Sequence, residues 1–108
     1  VNHAGTAVAG PATAADPARL EAMVQLNAVA AMQLAVAGGA AFKARGGGVL
    51  VNIASVLGLA PEMFNAVYAA TKAFVLALSQ GLDAELRDSG VRVQAVLPGA
   101  TRTAIWEV

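Results

Sequence analysis

The run VLVNIAS, Val49 to Ser55, constrains the fold more than any other part of this chain. It is short, rich in β-branched residues and almost without polar groups. As a strand it therefore needs cover on both faces, which is the situation of a parallel sheet. A second run of this kind, VRVQAVLPG, ends at Pro98-Gly99. Each run is preceded by a stretch long enough for a helix. The first should run from Pro17 to about Ala44 and stop at Gly46-Gly47-Gly48; the second should span about Asn65 to Asp88, closed by Ser89-Gly90. The order helix, strand, helix, strand predicts an α/β fold with strands near 49–54 and 91–97, built of parallel βα units with right-handed crossovers.

Val1 reads as the end of an earlier strand, and NHAGTAVAGPATAADPARL as a loop, rich in Gly, Ala, Pro and Thr and lacking apolar periodicity. Asp16-Pro17 is a helix start, because the carboxylate can accept from free first-turn N–H groups and proline's fixed φ suits the first helical position. With 108 residues, 57% of them apolar, the chain has ample material for a core and is read as one partial domain over residues 1–108.

Seven basic residues balance seven acidic ones, so no basic surplus exists to hold a phosphate backbone, and no nucleic-acid partner is expected. Cysteine is absent, which excludes thiolate chemistry and fits a cytoplasmic setting. His3, the single histidine, cannot build a metal site alone, and no metal is expected. The uncharged run from Ala22 to Phe42 is about as long as a membrane span. It contains Gln25, Asn27, Gln33 and Gly38-Gly39 among its alanines, however, so a buried helix is expected and no membrane partner. The start, VNHAG, does not read as a signal peptide.

Ligands of open parallel sheets bind outside the carboxyl ends of the strands. Three such ends are legible here: Asn2, Ser55 and Pro98-Gly99. Tyr68 lies near the amino end of the helix that follows Ser55, so a crossover would bring the hydroxyl and the phenol to one place. Lys72 is four residues on, which puts it on the same helix face, with Cβ atoms roughly 5 to 6 Å apart. A positive charge about 4 Å from a phenol of pKa about 10 is worth at most ~4 kcal/mol at an effective dielectric near 20, or about three pKa units. The expected effect is a phenol poised closer to neutrality, able to serve as general acid or base. Each residue also has a plainer reading. Tyr68 and Lys72 could be packed or solvated, Ser55 a turn residue, and Asn27 a satisfied polar group in a core helix.

The ordered set NHAG, QLNAVA, NIAS, YAATK and LPGATRT resembles the short-chain dehydrogenase/reductase family, and the resemblance runs along nearly the whole chain. It implies a Rossmann-like doubly wound parallel sheet and a nicotinamide dinucleotide, NAD or NADP, as cofactor. Tyr68 would exchange a proton with the oxygen of an alcohol or carbonyl substrate. Lys72 would depress the phenol's pKa and bond the nicotinamide ribose. Ser55 would polarise the carbonyl, and Asn27 would hold a water linking Lys72 to solvent. Asn2 and Ala4 would lie beside the cofactor, with Pro98, Gly99, Thr101 and Thr103 against its nicotinamide end. The step of thirteen residues from Ser55 to Tyr68 also suits the family.

Two departures stand out. His3 takes the place of the second Asn of N-N-A-G, which bears on bracing of the sheet and on no catalytic group. The family's glycine-rich turn for the pyrophosphate, and the residue that chooses between the two dinucleotides, are not in these 108 residues. RGGGV precedes a strand and reads as a helix stop. The chain thus reads as the central and catalytic part of a larger enzyme, inactive alone, whose two strands would leave the first with an open edge. The competing reading is a non-enzymatic helical interaction module. In either case the resemblance implies a homo-oligomer held by the two long helices. Trp106 reads equally as the start of a substrate lid or as a core anchor.

Overall fold

The computed structural model describes residues 2, 5, 7, 8, 10–54, 65–98 and 105–107. Asp16 opens the first helix as its residue type demands: its carboxylate accepts from the Ala18 N–H at 3.0 Å, and Pro17 occupies the first turn. Helix α1 spans Pro17–Val24 and α2 spans Ala31–Arg45, joined without a break by one stretch of wider π-helical turns, Gln25–Ala30. The single regular helix expected here is thus interrupted in its middle. The end is as expected, at Gly46, whose φ of 93° is the left-handed value that glycine adopts without strain.

Strand β1 is Gly48–Ile53, helix α3 is Ala66–Leu86, and β2 is Val91–Pro98, reached through a tight turn at Gly90, φ 76°. β1 and β2 pair in parallel, from Gly48 beside Val91 to Ile53 beside Val96. Leu50 and Asn52 turn inward on β1, with Ala54 just past its end, and Val91, Val93, Ala95 and Leu97 on β2. Asn2 extends the sheet on the far side of β1, as an isolated parallel bridge to Asn52. Its N–H donates to the Val51 carbonyl and its own carbonyl accepts from Ile53, so part of the expected open edge is covered. The other edge of β2 carries a strand the sequence did not suggest, β3, Ile105–Glu107, which runs antiparallel; Trp106 pairs with Leu97.

Both long helices lie on one face of the sheet. Burial on the first falls on Met23, Asn27, Ala28, Ala31, Ala35 and Gly39, a spacing of three and four that marks one helix face. By length and composition Pro17–Arg45 could also cross a membrane, but here this face packs on the sheet and α3. Small residues permit the approach: a Cβ on Gly39 would stand 2.9 Å from Leu86 Cδ1. The core forms two clusters along α3. Ala35, Leu50, Leu86, Val91 and Val93, flanked by Phe42, Leu78 and Leu82, fill the end where the strands begin. Ala31, Ala54, Val75, Leu76, Ala95 and Leu97 lie under the end where they finish.

Between them runs a buried polar chain. Asn2 donates to Asn52 Oδ1 and to the Ala31 carbonyl, Asn52 donates to Ser79 Oγ at 3.0 Å, and Ser79 donates to the Val75 carbonyl at 2.7 Å. A buried amide is costly unless satisfied. Satisfied in this way, Asn52 ties the Asn2 stub, β1 and α3 into one register.

Candidate functional site

Because Asn2, β1 and β2 run parallel, their carboxyl ends share one edge, and the first turn of α3 begins at that edge. Asn65 caps α3, its Oδ1 accepting from both the Val67 and Tyr68 N–H groups at 3.0 Å. Tyr68 therefore leaves the helix in its first turn, half-buried, and Lys72 follows one turn later with only 6% of its surface exposed. The Lys72 Nζ stands 5.6 Å from the centre of the Tyr68 ring, within the range of cation–π attraction.

Asn27 comes to the same place from the other helix. It sits on the π-helical stretch, a distortion that often marks a functional position, and is 1% exposed. Its Nδ2 donates to Thr71 Oγ1 at 3.3 Å, and the Thr71 hydroxyl donates to the Tyr68 carbonyl at 2.7 Å. Since the Thr71 proton is committed to that carbonyl, its oxygen can only accept from Asn27, which leaves Asn27 Oδ1 on the other side. There the backbone of Gly5 comes close. A Cβ built on Gly5 would lie 3.1 Å from Asn27 Oδ1 and 3.4 Å from Lys72 Nζ. One point thus sees an amide oxygen, an ammonium and a main chain with no side chain in the way.

Electrostatically the pair departs from the expectation. Burial pushes the Tyr68 phenol above its usual value and the Lys72 ammonium below its own. Desolvation thus outweighs the expected pull of the ammonium on the phenol, and Tyr68 stands protonated at neutral pH. Its place in the first turn of α3 still favours negative charge there, since a helix amino end carries about half a positive charge. A protonated phenol beside an ammonium and a helix amino end is arranged to give up a proton and to hold the charge left behind.

Asn27, Tyr68 and Lys72 are therefore brought together. Asn2 is placed at the strand end, with its side chain engaged inward on Ala31 and Asn52. Pro98 closes β2 at the same edge. Ser55, Ala4, Gly99, Thr101 and Thr103 lie outside the described residues, as does His3. Asn65, Thr71 and Gly5 were not singled out from the sequence. An Asn three residues before Tyr68 is a readable helix-cap signal; Gly5 and Thr71 stand inside the quoted NHAG and YAATK motifs, where no role was assigned to them. Among the described residues, no group of three or more His, Asp or Glu is placed to hold a metal ion.

A parallel sheet with helical crossovers on one face is part of a Rossmann-like, doubly wound fold, and the polar cluster lies at the carboxyl edge where that fold binds ligands. The chain belongs to the short chain dehydrogenase family, whose model matches residues 1–108 in full. An uncharacterised oxidoreductase of Staphylococcus epidermidis is 33% identical over 99% of the chain. The bulky-bulky ketone specific alcohol dehydrogenase of Comamonas testosteroni superposes with a TM-score of 0.88 at 48% identity over 95% of the chain. A short-chain dehydrogenase of Sphingobium yanoikuyae, solved with NADPH, gives 0.85 at 50% identity over 97%. The chain spans 46% of the first relative's length and 41% of each of the two solved structures.

Proposed function

We propose that the protein is an oxidoreductase that interconverts an alcohol and a ketone, with Tyr68 as general acid and base at the substrate oxygen and NAD or NADP as cofactor. The observation that carries this reading is the convergence of Tyr68, Lys72 and Asn27 with the bare backbone of Gly5 at the carboxyl edge of the sheet. The identities to a ketone-specific alcohol dehydrogenase and to a dehydrogenase solved with NADPH support the substrate class and the cofactor.

The residues present fit such a cofactor. Lys72 offers a buried ammonium suited to a sugar diol, and Gly5 leaves open a space that a Cβ would fill. When bound, the nicotinamide supplies or accepts the hydride. In the reductive direction Tyr68 gives its proton to the carbonyl oxygen as the alkoxide forms, and Lys72 and the α3 amino end stabilise the phenolate. Lys72 then returns a proton to the phenolate and recovers one from a water that Asn27, oriented by Thr71, holds as acceptor. Ser55 polarises the carbonyl as a donor to the developing oxyanion. The family resemblance assigns Asn2, Ala4, Pro98, Gly99, Thr101 and Thr103 to the cofactor.

A second role is compatible with the first. Leu26, Met32, Leu34, Val36 and Phe74 are exposed on the two long helices. A copy of the chain set against these faces would cover them, giving a homo-oligomer. Because the chain spans less than half of its relatives, the 108 residues alone are expected to be inactive. The test is to assay the full-length protein with each dinucleotide over a panel of alcohols and ketones. Dinucleotide-dependent turnover is the expected result; soluble, folded protein that binds neither dinucleotide would refute the reading.

A further inference from the structure

We propose that Asn65 is a positioning residue: its amide oxygen caps the first turn of α3 and so fixes where the Tyr68 phenol stands, while its amide nitrogen ties that turn to the loop at Gly10. The proposal rests on the reading of Tyr68 given above. An ordinary cap needs one acceptor and stays wet, as Asp16 shows, exposed and capping the Ala18 N–H. Asn65 is 2% exposed and uses both ends of its amide. Its Oδ1 accepts from Val67 and Tyr68, and its Nδ2 donates to the Gly10 carbonyl at 2.9 Å, a bond across 55 residues of sequence. Capping alone explains the oxygen and leaves the buried nitrogen unexplained.

Two details give the clamp its meaning. One of the capped N–H groups is that of Tyr68 itself, so loosening this bond displaces the residue that carries the phenol. The loop held at Gly10 also contains Gly5, whose backbone borders Asn27 Oδ1 and Lys72 Nζ. Gly10 has φ 83°, a left-handed conformation that presents its carbonyl to Asn65 at little cost only because it is glycine. Asn65 thereby connects the two sides of the cleft, the α3 amino end and the loop after the Asn2 strand, through one buried side chain.

The experiment compares Tyr68→Phe, Asn65→Ala, Asn65→Ser and Asp16→Ala in the full-length protein, well below the melting temperature of each. Asn65→Ala should lower kcat about tenfold, since small misplacements of a reacting group are expensive. It should also speed amide exchange at Val67 and Tyr68 while the rest of α3 keeps its protection. Asn65→Ser, which keeps a capping oxygen but cannot span to Gly10, should hold kcat within about threefold and raise KM more than about threefold. Asp16→Ala, the loss of a cap far from the site, should lower Tm and leave kcat alone.

A kcat for Asn65→Ala within threefold of the parent, or an equal loss in Asp16→Ala, overturns the proposal. Should Asn65→Ala fail to fold, Asn65→Ser decides: a raised KM upholds the clamp and an unchanged one refutes it. Turnover surviving in Tyr68→Phe sinks the reading of the site and the proposal with it; turnover lost there but kept in Asn65→Ala sinks the proposal alone.

Discussion

The two ends of α3 treat charge in opposite ways. At the carboxyl end, Asp83 is a partly exposed carboxylate with both oxygens engaged. It takes the Val93 N–H at 2.8 Å, Arg87 Nη2 at 3.0 Å and Arg92 Nε at 3.1 Å. These bonds, the backbone N–H foremost, hold its carboxyl well below the usual carboxylate range. Both arginines remain largely in water, so the cluster acts as a staple from helix to β2, screened and cheap. At the amino end an ammonium is buried against a phenol, with neutral amides, a hydroxyl and backbone for company. Burial moves both groups toward neutrality. The staple ties α3 to β2 at little desolvation cost, whereas the amino end holds a charge that burial disfavours. One end of α3 thus carries a solvent-screened ion pair, the other a buried ammonium beside a neutral phenol.

Lys72→Met should sharpen the contrast most. Removing a buried ammonium while keeping an apolar stem should leave Tm unchanged or raised at pH 7, because the desolvation penalty disappears. Turnover should fall by about 10²-fold or more, the order associated with acid–base assistance. A variant that loses stability and keeps its rate would reverse the assignment. Gly5→Ala comes next. The added methyl stands 3.1 Å from Asn27 Oδ1 and 3.4 Å from Lys72 Nζ, so turnover should drop by about tenfold with little change in thermal melting.

Asp83→Asn should do the opposite: Tm falls and the rate per folded molecule is kept. The pH dependence carries the sign. A carboxylate whose folded pKa is depressed contributes stability above its unfolded value, about 3.9, and loses it as pH falls toward the folded value. The parent protein should therefore lose stability more steeply than Asp83→Asn below about pH 4.5, as urea midpoints across an acid series would show. Smallest is Gly39→Ala. Helix propensity favours alanine by about 1 kcal/mol, and displacing the flexible Leu86 tip from 2.9 Å costs a similar amount, so the net change should lie within about 1 kcal/mol.

Much of this was legible in the sequence, for local reasons. Asp16-Pro17, the glycines at 46 and 90 and the apolar runs each carry their own conformational preference, and the helices and strands fall within a few residues of where those preferences put them. Tyr68 and Lys72 were legible because a helix fixes the relation of residues four apart. What escaped depends on partners distant in the chain. Asn52 is a polar residue in a buried strand, and its bonds come from Asn2 and Ser79, 50 and 27 residues away. The π-helical turns at Gln25–Ala30 have no compositional mark, yet they carry Asn27. Asp83 gave no sign of Val93 ten residues ahead. The direction of the Tyr68 shift also escaped, because a charge four residues away is countable from sequence while the depth of burial is not.

The central claim is that the amino end of α3 transfers a proton through Tyr68. Tyr68→Phe in the full-length protein tests it most directly, by turnover and by dinucleotide binding measured side by side. Loss of the hydroxyl should cut turnover by about 10²- to 10⁴-fold while the dissociation constant for the dinucleotide stays within about threefold, since Lys72 and the Gly5 backbone are untouched. Turnover within a few-fold of the parent, with binding intact, would contradict the account.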